Sequence, residues 1–102
     1  RQVGDKAGEA TTLSNIGAVY DALGEKAKAL DTFNHALTLC VEVRDRFGEV
    51  VTRCWLGLLY ADEDRDLGEE HLRVAAEIAD VVHSPHAAAI AGALARLQSQ
   101  RQ

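Results

Sequence analysis

Four histidines, two cysteines and a knot of carboxylates are the residues of this chain that could do chemistry, and their spacing limits what that chemistry can be. His35 and His71 stand alone. His83 and His86 lie three apart but straddle Pro85, so no single helix face joins them to a carboxylate in a metal-ligand pattern. All four read as surface or packing histidines. Ser14 and Ser84 have no paired base, no Gly-rich phosphate loop is present, and Glu69-Glu70 reads as an exposed helix start. Asp62-Glu63-Asp64-Arg65-Asp66 crowds carboxylates as calcium loops do, yet it lacks their ligand spacing and their glycine, which leaves a solvated charged turn. Cys40 and Cys54 are too few for a disulfide framework and fall on neighbouring helices. They read as two small buried or half-buried thiols, with a redox pair or metal site as the alternative. No catalytic residue, cofactor or metal is expected, and the chain points to binding and away from catalysis.

The bulk numbers narrow the partner. Sixteen acidic residues against eleven basic ones give a net charge of −5, with no Lys/Arg cluster long enough to track a phosphate backbone, so nucleic acid is not expected as a ligand. No run of eighteen apolar residues and no basic-then-apolar start exists, which points to a soluble, cytoplasmic chain with no membrane partner. The sequence begins at Arg1, which suggests a piece of something longer. With 102 residues, one proline and no low-complexity tract, residues 1–102 are expected to form a single ordered domain.

The elements that must position any site come from a repeat. Gly-Asp-Lys-Ala-Gly-Glu-Ala (Gly4 to Ala10) returns forty residues on as Arg-Asp-Arg-Phe-Gly-Glu-Val (Arg44 to Val50), and Ile16, Gly17 and Tyr20 return as Leu56, Gly57 and Tyr60. A fixed period of this size marks supersecondary units that bury their apolar faces by stacking. Apolar positions fall three and four apart throughout, so every element is expected to be helical. The first helix covers about Ala10 to Leu23, packing through Leu13, Ile16, Gly17, Val19, Tyr20 and Leu23, with Asp5 as N-cap and Gly24 as its stop. The second runs from about Glu25 to Val43 with Ala29, Leu30, Phe33, Ala36, Leu37 and Cys40 inward. A third, capped by Asp45, carries Phe47, Val50, Leu56, Gly57, Leu59 and Tyr60. Asp66 with Glu69 has the form of a capping box for a fourth, which carries Leu67, Leu72, Ala75, Ala76, Ile78, Ala79 and Val82. Ser84-Pro85 opens a fifth, reaching about Gln98, with Ile90, Leu94 and Leu97 as its ridge.

Leu13, Ile16, Gly17, Tyr20, Ala29, Phe33 and Ala36 stand at the spacings of the tetratricopeptide repeat, which the first unit resembles closely. The second unit keeps Leu56, Gly57, Tyr60 and Ala76 but has Arg53, Glu69 and Arg73 where the first has Leu13, Ala29 and Phe33. Its second helix is therefore expected to be rotated, shifted along its axis or more exposed. The period of forty resembles the longer-helix variety found in spindle-orientation scaffolds, kinesin light chains and bacterial signalling proteins. The resemblance implies an all-α fold, an α-solenoid of antiparallel helix-turn-helix hairpins with about five helices. Repeats would cover about 4–43 and 44–83, followed by a terminal or capping helix at about 85–100.

The resemblance further implies a protein-protein interaction module whose first helices line a concave, peptide-binding face. By helical spacing that face holds Thr11, Ser14, Asn15, Ala18, Asp21 and Ala22, then Val51, Cys54, Trp55, Leu58, Ala61 and Asp62. Asn15 would pair with the backbone of an extended peptide or else remain solvated. Trp55 would be a binding hot spot or else pack on a neighbouring helix. Ser14 and Ala18 stand where the family's carboxylate clamp has Lys and Asn, so an acidic tail is not the implied ligand. A protein or peptide with apolar anchors and a basic flank suits the face better. Two alternatives stand beside this reading. One is self-association of apolar repeat ends into a homo-oligomer, the other a regulatory segment of a larger bacterial signalling protein.

Overall fold

The computed structural model describes residues 3–100, with the side chains of Val3, Gly4 and Ala7 left aside, and contains five α-helices and no strand among the described residues. They are α1 (Val3–Ala22), α2 (Lys26–Val43), α3 (Arg46–Tyr60), α4 (Arg65–Val81) and α5 (Ala87–Ser99). Each packs chiefly on the next in sequence, so that α1 with α2 and α3 with α4 form antiparallel hairpins, while α1 and α3 barely meet. The fold is the expected all-helical arrangement of hairpins. It is a slab of 47 × 32 × 18 Å.

Three of the four turns are built alike. Gly24, Arg44 and His83 take positive φ of 79°, 60° and 56°. The amide that follows each one reaches back to a carbonyl five residues earlier: Glu25 to Tyr20, Asp45 to Cys40 and Ser84 to Ala79. A left-handed residue followed by such a bond closes a helix by satisfying its last carbonyls. The turn between α3 and α4 has no left-handed residue, and the Asp64 amide bonds to Tyr60 O, four residues back, at 2.8 Å. That turn is one residue shorter. As a result α4 is displaced by one residue relative to the repeat: Gly68, Leu72, Ala75 and Ala79, all buried, fill the roles that Ala29, Phe33, Ala36 and Cys40 fill on α2. The displaced-helix alternative therefore holds, and Glu69 and Arg73 never faced the core.

Caps follow the same geometry. Asp45 accepts from the Gly48 amide at 2.9 Å, as expected. The expected capping box at Asp66 is corrected: Asp64 caps α4, accepting from the Leu67 amide at 3.1 Å, and Asp66 falls in the first turn because the helix starts early. Asp5 likewise lies inside α1, whose described span starts at Val3. The Ser84 hydroxyl accepts from the His86 amide at 3.2 Å, which holds residues 84–86 as a turn, so α5 begins at Ala87, two residues after Pro85.

Glycines set how closely the hairpins approach. A Cβ on Gly17 would meet the Phe33 ring at 2.9 Å, and one on Gly57 would meet Leu72 Cγ at 2.6 Å and Gly68 O at 3.0 Å. Phe33 has no solvent exposure and stacks on Trp55 with ring centroids 5.1 Å apart. Several expected packing residues are corrected. Ile16, Val19 and Leu23 are exposed because no described element covers that side of α1, and Phe47 is exposed at the start of α3. Leu39, outside the expected stripe, is buried with Ala10 and Cys40.

The close approach makes a direct prediction. Gly57→Ala should destabilise the fold by about 1–3 kcal/mol through overpacking against backbone. Gly8→Ala, in α1 with nothing within 4 Å of a new Cβ, should stabilise it by about 1 kcal/mol through helix propensity. Urea unfolding of both variants checks the pair.

Candidate protein-binding surface

Because α1 and α3 barely touch, and α5 packs mainly on α4, two grooves open between the odd-numbered helices. Between α1 and α3 lies a space of about 340 Å³. Thr11, Ser14 and Asn15 line it from one side, and Phe47, Gly48 and Val51 from the other, with Asp45 at the cap. Between α3 and α5 lies a space of about 290 Å³, walled by Val51, Cys54, Trp55 and Leu58 on α3 and by Ala89, Ile90 and Ala93 on α5. Leu72 and Val50 lie at its base and His86 at its rim. Val51 belongs to both spaces and forms the ridge between them.

Seven of the ten residues expected on the concave face line these grooves: Thr11, Ser14 and Asn15 in the first, Cys54, Trp55 and Leu58 in the second, and Val51 in both. Ala18 instead packs against the Phe33 and Leu56 cluster. Asp21 is half-buried near the end of α1 and Asp62 is exposed in the turn after α3; neither lines a groove. The sequence reading missed the α5 wall, having assigned that helix to capping. The signal was available: Ala10, Val50 and Ile90 are forty apart and all buried, as are Gly17, Gly57 and Leu97, which gives α5 the place of a third first-type helix.

The two grooves differ in chemistry along the same repeat. Thr11, Ser14 and Asn15 become Val51, Cys54 and Trp55 forty residues on, so polar side chains give way to apolar ones. Trp55 does two things at once. One face stacks on Phe33 at an interplanar angle of 15°, and the half-buried remainder lines the α3–α5 groove. Burial pushes the Cys54 thiol up to about 11, so at neutral pH it is a protonated, apolar wall element without nucleophilic character. Burial also raises the Cys40 thiol, with Asp45 adding to the effect. Both are free thiols, one buried and one half-buried, as the sequence implied.

Polar chemistry is concentrated outside the grooves, in the α3–α4 seam. Glu49, 4% exposed, accepts from Arg53 Nε at 2.8 Å and from Arg46 Nη1 at 3.2 Å. Arg53 Nη1 donates to His71 Nδ1 at 3.2 Å, which places the proton of the neutral ring on Nε2. The His71 ring stacks on Tyr60 with centroids 5.8 Å apart, and the Tyr60 hydroxyl accepts from Asn34 Nδ2 at 3.1 Å. This network explains why Arg53 stands where the first unit has Leu13: a buried carboxylate needs a cation, and α3 supplies it one turn away. Among the described residues no group of three metal-ligating side chains comes together, and no helix is long and apolar enough to cross a membrane. Comparison with known proteins finds no family model, no curated protein and no solved structure that matches this chain.

His71 gives the fold a pH dependence of defined sign. Burial holds its imidazole below the ordinary histidine value, the Arg53 charge acts in the same direction, and Glu70 opposes both. The unfolded chain therefore binds this proton at higher pH than the folded one does. The stability is fully present above the unfolded value of about 6.5, and it falls as pH drops through that value toward the folded pKa. Denaturant unfolding from about pH 7 to about pH 5 should show that loss. His71→Gln, which keeps an acceptor for Arg53 without the titration, should flatten it.

Proposed function

We propose that the chain is a tetratricopeptide-type interaction module that binds a protein segment along the surface formed by α1, α3 and α5. The observation that carries this reading is the α3–α5 groove, an open apolar trough with an aromatic floor. Trp55, Leu58, Val51 and Ile90 together present it. Leu58 is 58% and Val51 41% exposed, an apolar cluster that gains from being covered. The two small walls of α5, Ala89 and Ala93, leave space for a partner's larger side chain.

The chemistry of the partner follows from what borders that trough. Apolar side chains would fill it, excluding water around Trp55, whose stacking on Phe33 holds the indole in place before any ligand arrives. Near the ends of α1 and α3 stand Asp21, Asp62, Glu63 and Asp64, where the helix dipoles are also negative. A segment with apolar anchors followed by Lys or Arg suits this distribution. The α1–α3 groove would take its more polar part, with Ser14 and Asn15 available to a peptide backbone. A reading as an enzyme has less support, since the groove's one thiol is protonated at neutral pH and His86 stands at its rim with no hydrogen-bonded partner to orient it among the printed contacts of the site.

The test is peptide display against the immobilised protein, followed by affinities for the recovered sequences. Enriched peptides should carry apolar residues beside a basic flank. Leu58→Glu should weaken them at least about tenfold, while Asp62→Ala should change mainly the association rate and its salt dependence. Trp55→Ala should weaken binding too, but it also removes the Phe33 stack, so Leu58→Glu is the cleaner variant. Equal losses from Leu58→Glu and Asp62→Ala would move the site to the acidic rim, and enrichment of acidic tails would contradict the reading.

A further inference from the structure

Gly8, Thr12, Ile16 and Val19 run along one face of α1, and forty residues later Gly48, Thr52, Leu56 and Leu59 run along α3 in the same order. The resemblance extends to detail. Thr12 Oγ1 donates to Gly8 O at 3.0 Å, and Thr52 Oγ1 donates to Gly48 O at 2.8 Å. Tyr20 stands in the place of Tyr60, whose hydroxyl accepts from Asn34 of α2.

The fates of the two faces differ. On α3 the face is the seat of α2. Thr52 and Leu56 are 1% and 0% exposed, Leu56 packs with Ala29 and Phe33, and the Cys40 sulfur would lie 3.0 Å from a Cβ on Gly48. On α1 the face is open. Nothing lies within 4 Å of a Cβ on Gly8, while Ile16 is 41% and Val19 58% exposed. The sequence thus builds the same helix seat twice, and α2 fills one of them.

We propose that the open face of α1 is a docking site for a helix of another polypeptide that carries the stripe of α2. That stripe places small residues at the positions of Ala29 and Ala36 and an aromatic ring between them at the position of Phe33. A small residue at Cys40's place would approach Gly8, whose missing side chain leaves room for it. One position sets this seat apart from its twin. Lys26 Nζ of α2 lies 3.5 Å from Glu63, but Leu23, 68% exposed, stands forty residues before Glu63. The docked helix therefore carries an apolar residue where α2 has Lys26. A second folded copy does not supply such a helix, because its α2 is held between its own α1 and α3, and its α4 between α3 and α5.

The probe is a labelled synthetic peptide with the sequence of residues 25–44, kept reduced and titrated with the intact protein by fluorescence anisotropy. Saturable binding is expected. Lys26→Leu in the peptide should tighten it, and Phe33→Ala in the peptide should weaken it at least about tenfold. In the protein, Ile16→Glu and Val19→Glu should abolish binding while leaving the thermal melting midpoint near that of the parent, since both side chains already face solvent. Leu58→Glu, in the α3–α5 groove, should leave peptide binding intact, which separates this site from the proposed partner groove. Failure of the peptide to bind would overturn the proposal. So would loss of binding in Leu58→Glu with retention in Ile16→Glu. A dimer in sedimentation that Ile16→Glu dissolves would assign the face to a second copy and would also overturn it.

Discussion

Phe33 lies between the backbone of Gly17 on α1 and the indole of Trp55 on α3, and much of the molecule is arranged around that sandwich. A fully buried Phe contributes about 1.5–3 kcal/mol by transfer alone, but its larger effect is geometric. It fixes the separation of α1 and α2 because a side chain at position 17 would collide with the ring. It also fixes where α3 lies on α2, because the ring's exposed face is covered by Trp55. The groove-lining surface of Trp55 is thus the far side of a core contact. The candidate binding surface and the core share one stack of rings.

The second hairpin solves the same problem with an aliphatic side chain. Leu72 sits over Gly57 as Phe33 sits over Gly17, and Gly68 replaces Ala29 at the closest backbone approach. The substitution follows from the missing residue in the α3–α4 turn, which brings α4 around by one position and moves Arg73 to the surface. There Arg73 bonds Glu70 and Glu77. Such exposed pairs contribute little to stability. The buried charges are a different matter. Glu49 and Arg53 sit where desolvation is costly, and the chain offsets that cost by giving Glu49 two arginine donors and Arg53 a neutral imidazole acceptor. Stability and pH response therefore come from the seam between α3 and α4, away from the grooves.

How far the sequence could be read depended on which terms were local. The helices, the stop at Gly24 and the cap at Asp45 were legible because they follow from propensity and from single side-chain bonds. The approach of Phe33 to small residues on α1 was legible from spacing. The one-residue shift of α4 was visible only as a conflict, Glu69 and Arg73 at apolar positions, since loop length is not encoded in the pattern itself. Asp66 with Glu69 matched a capping box by letter, yet Asp64 lay two residues nearer the turn and took the cap. Exposure of Ile16, Val19 and Leu23 could not be read at all. Amphipathic pattern says that a face is built to be covered, not that a neighbour is present to cover it.

The candidate surface was half legible for a related reason. Its α1 and α3 residues were found by asking which side chains the packing left over, and that reasoning works wherever a helix has one partner in its own hairpin. α5 has no such partner among the described residues, so its ridge of Ile90, Leu94 and Leu97 read as a cap. Placed on the period of forty, Ile90 aligns with Val50 and Ala10, and the helix becomes the third wall of a row. Its alanines then acquire a purpose. Large residues at positions 89 and 93 would close the space over Trp55, whereas Ala89 and Ala93 keep the trough open. An apolar trough left open at the expense of burial is a feature that folding alone does not favour, because filling it would remove more apolar surface from water. The energetic shortfall is what a partner's side chains can recover, and the rigid indole beneath ensures that little ordering entropy is lost on the protein's side when they do.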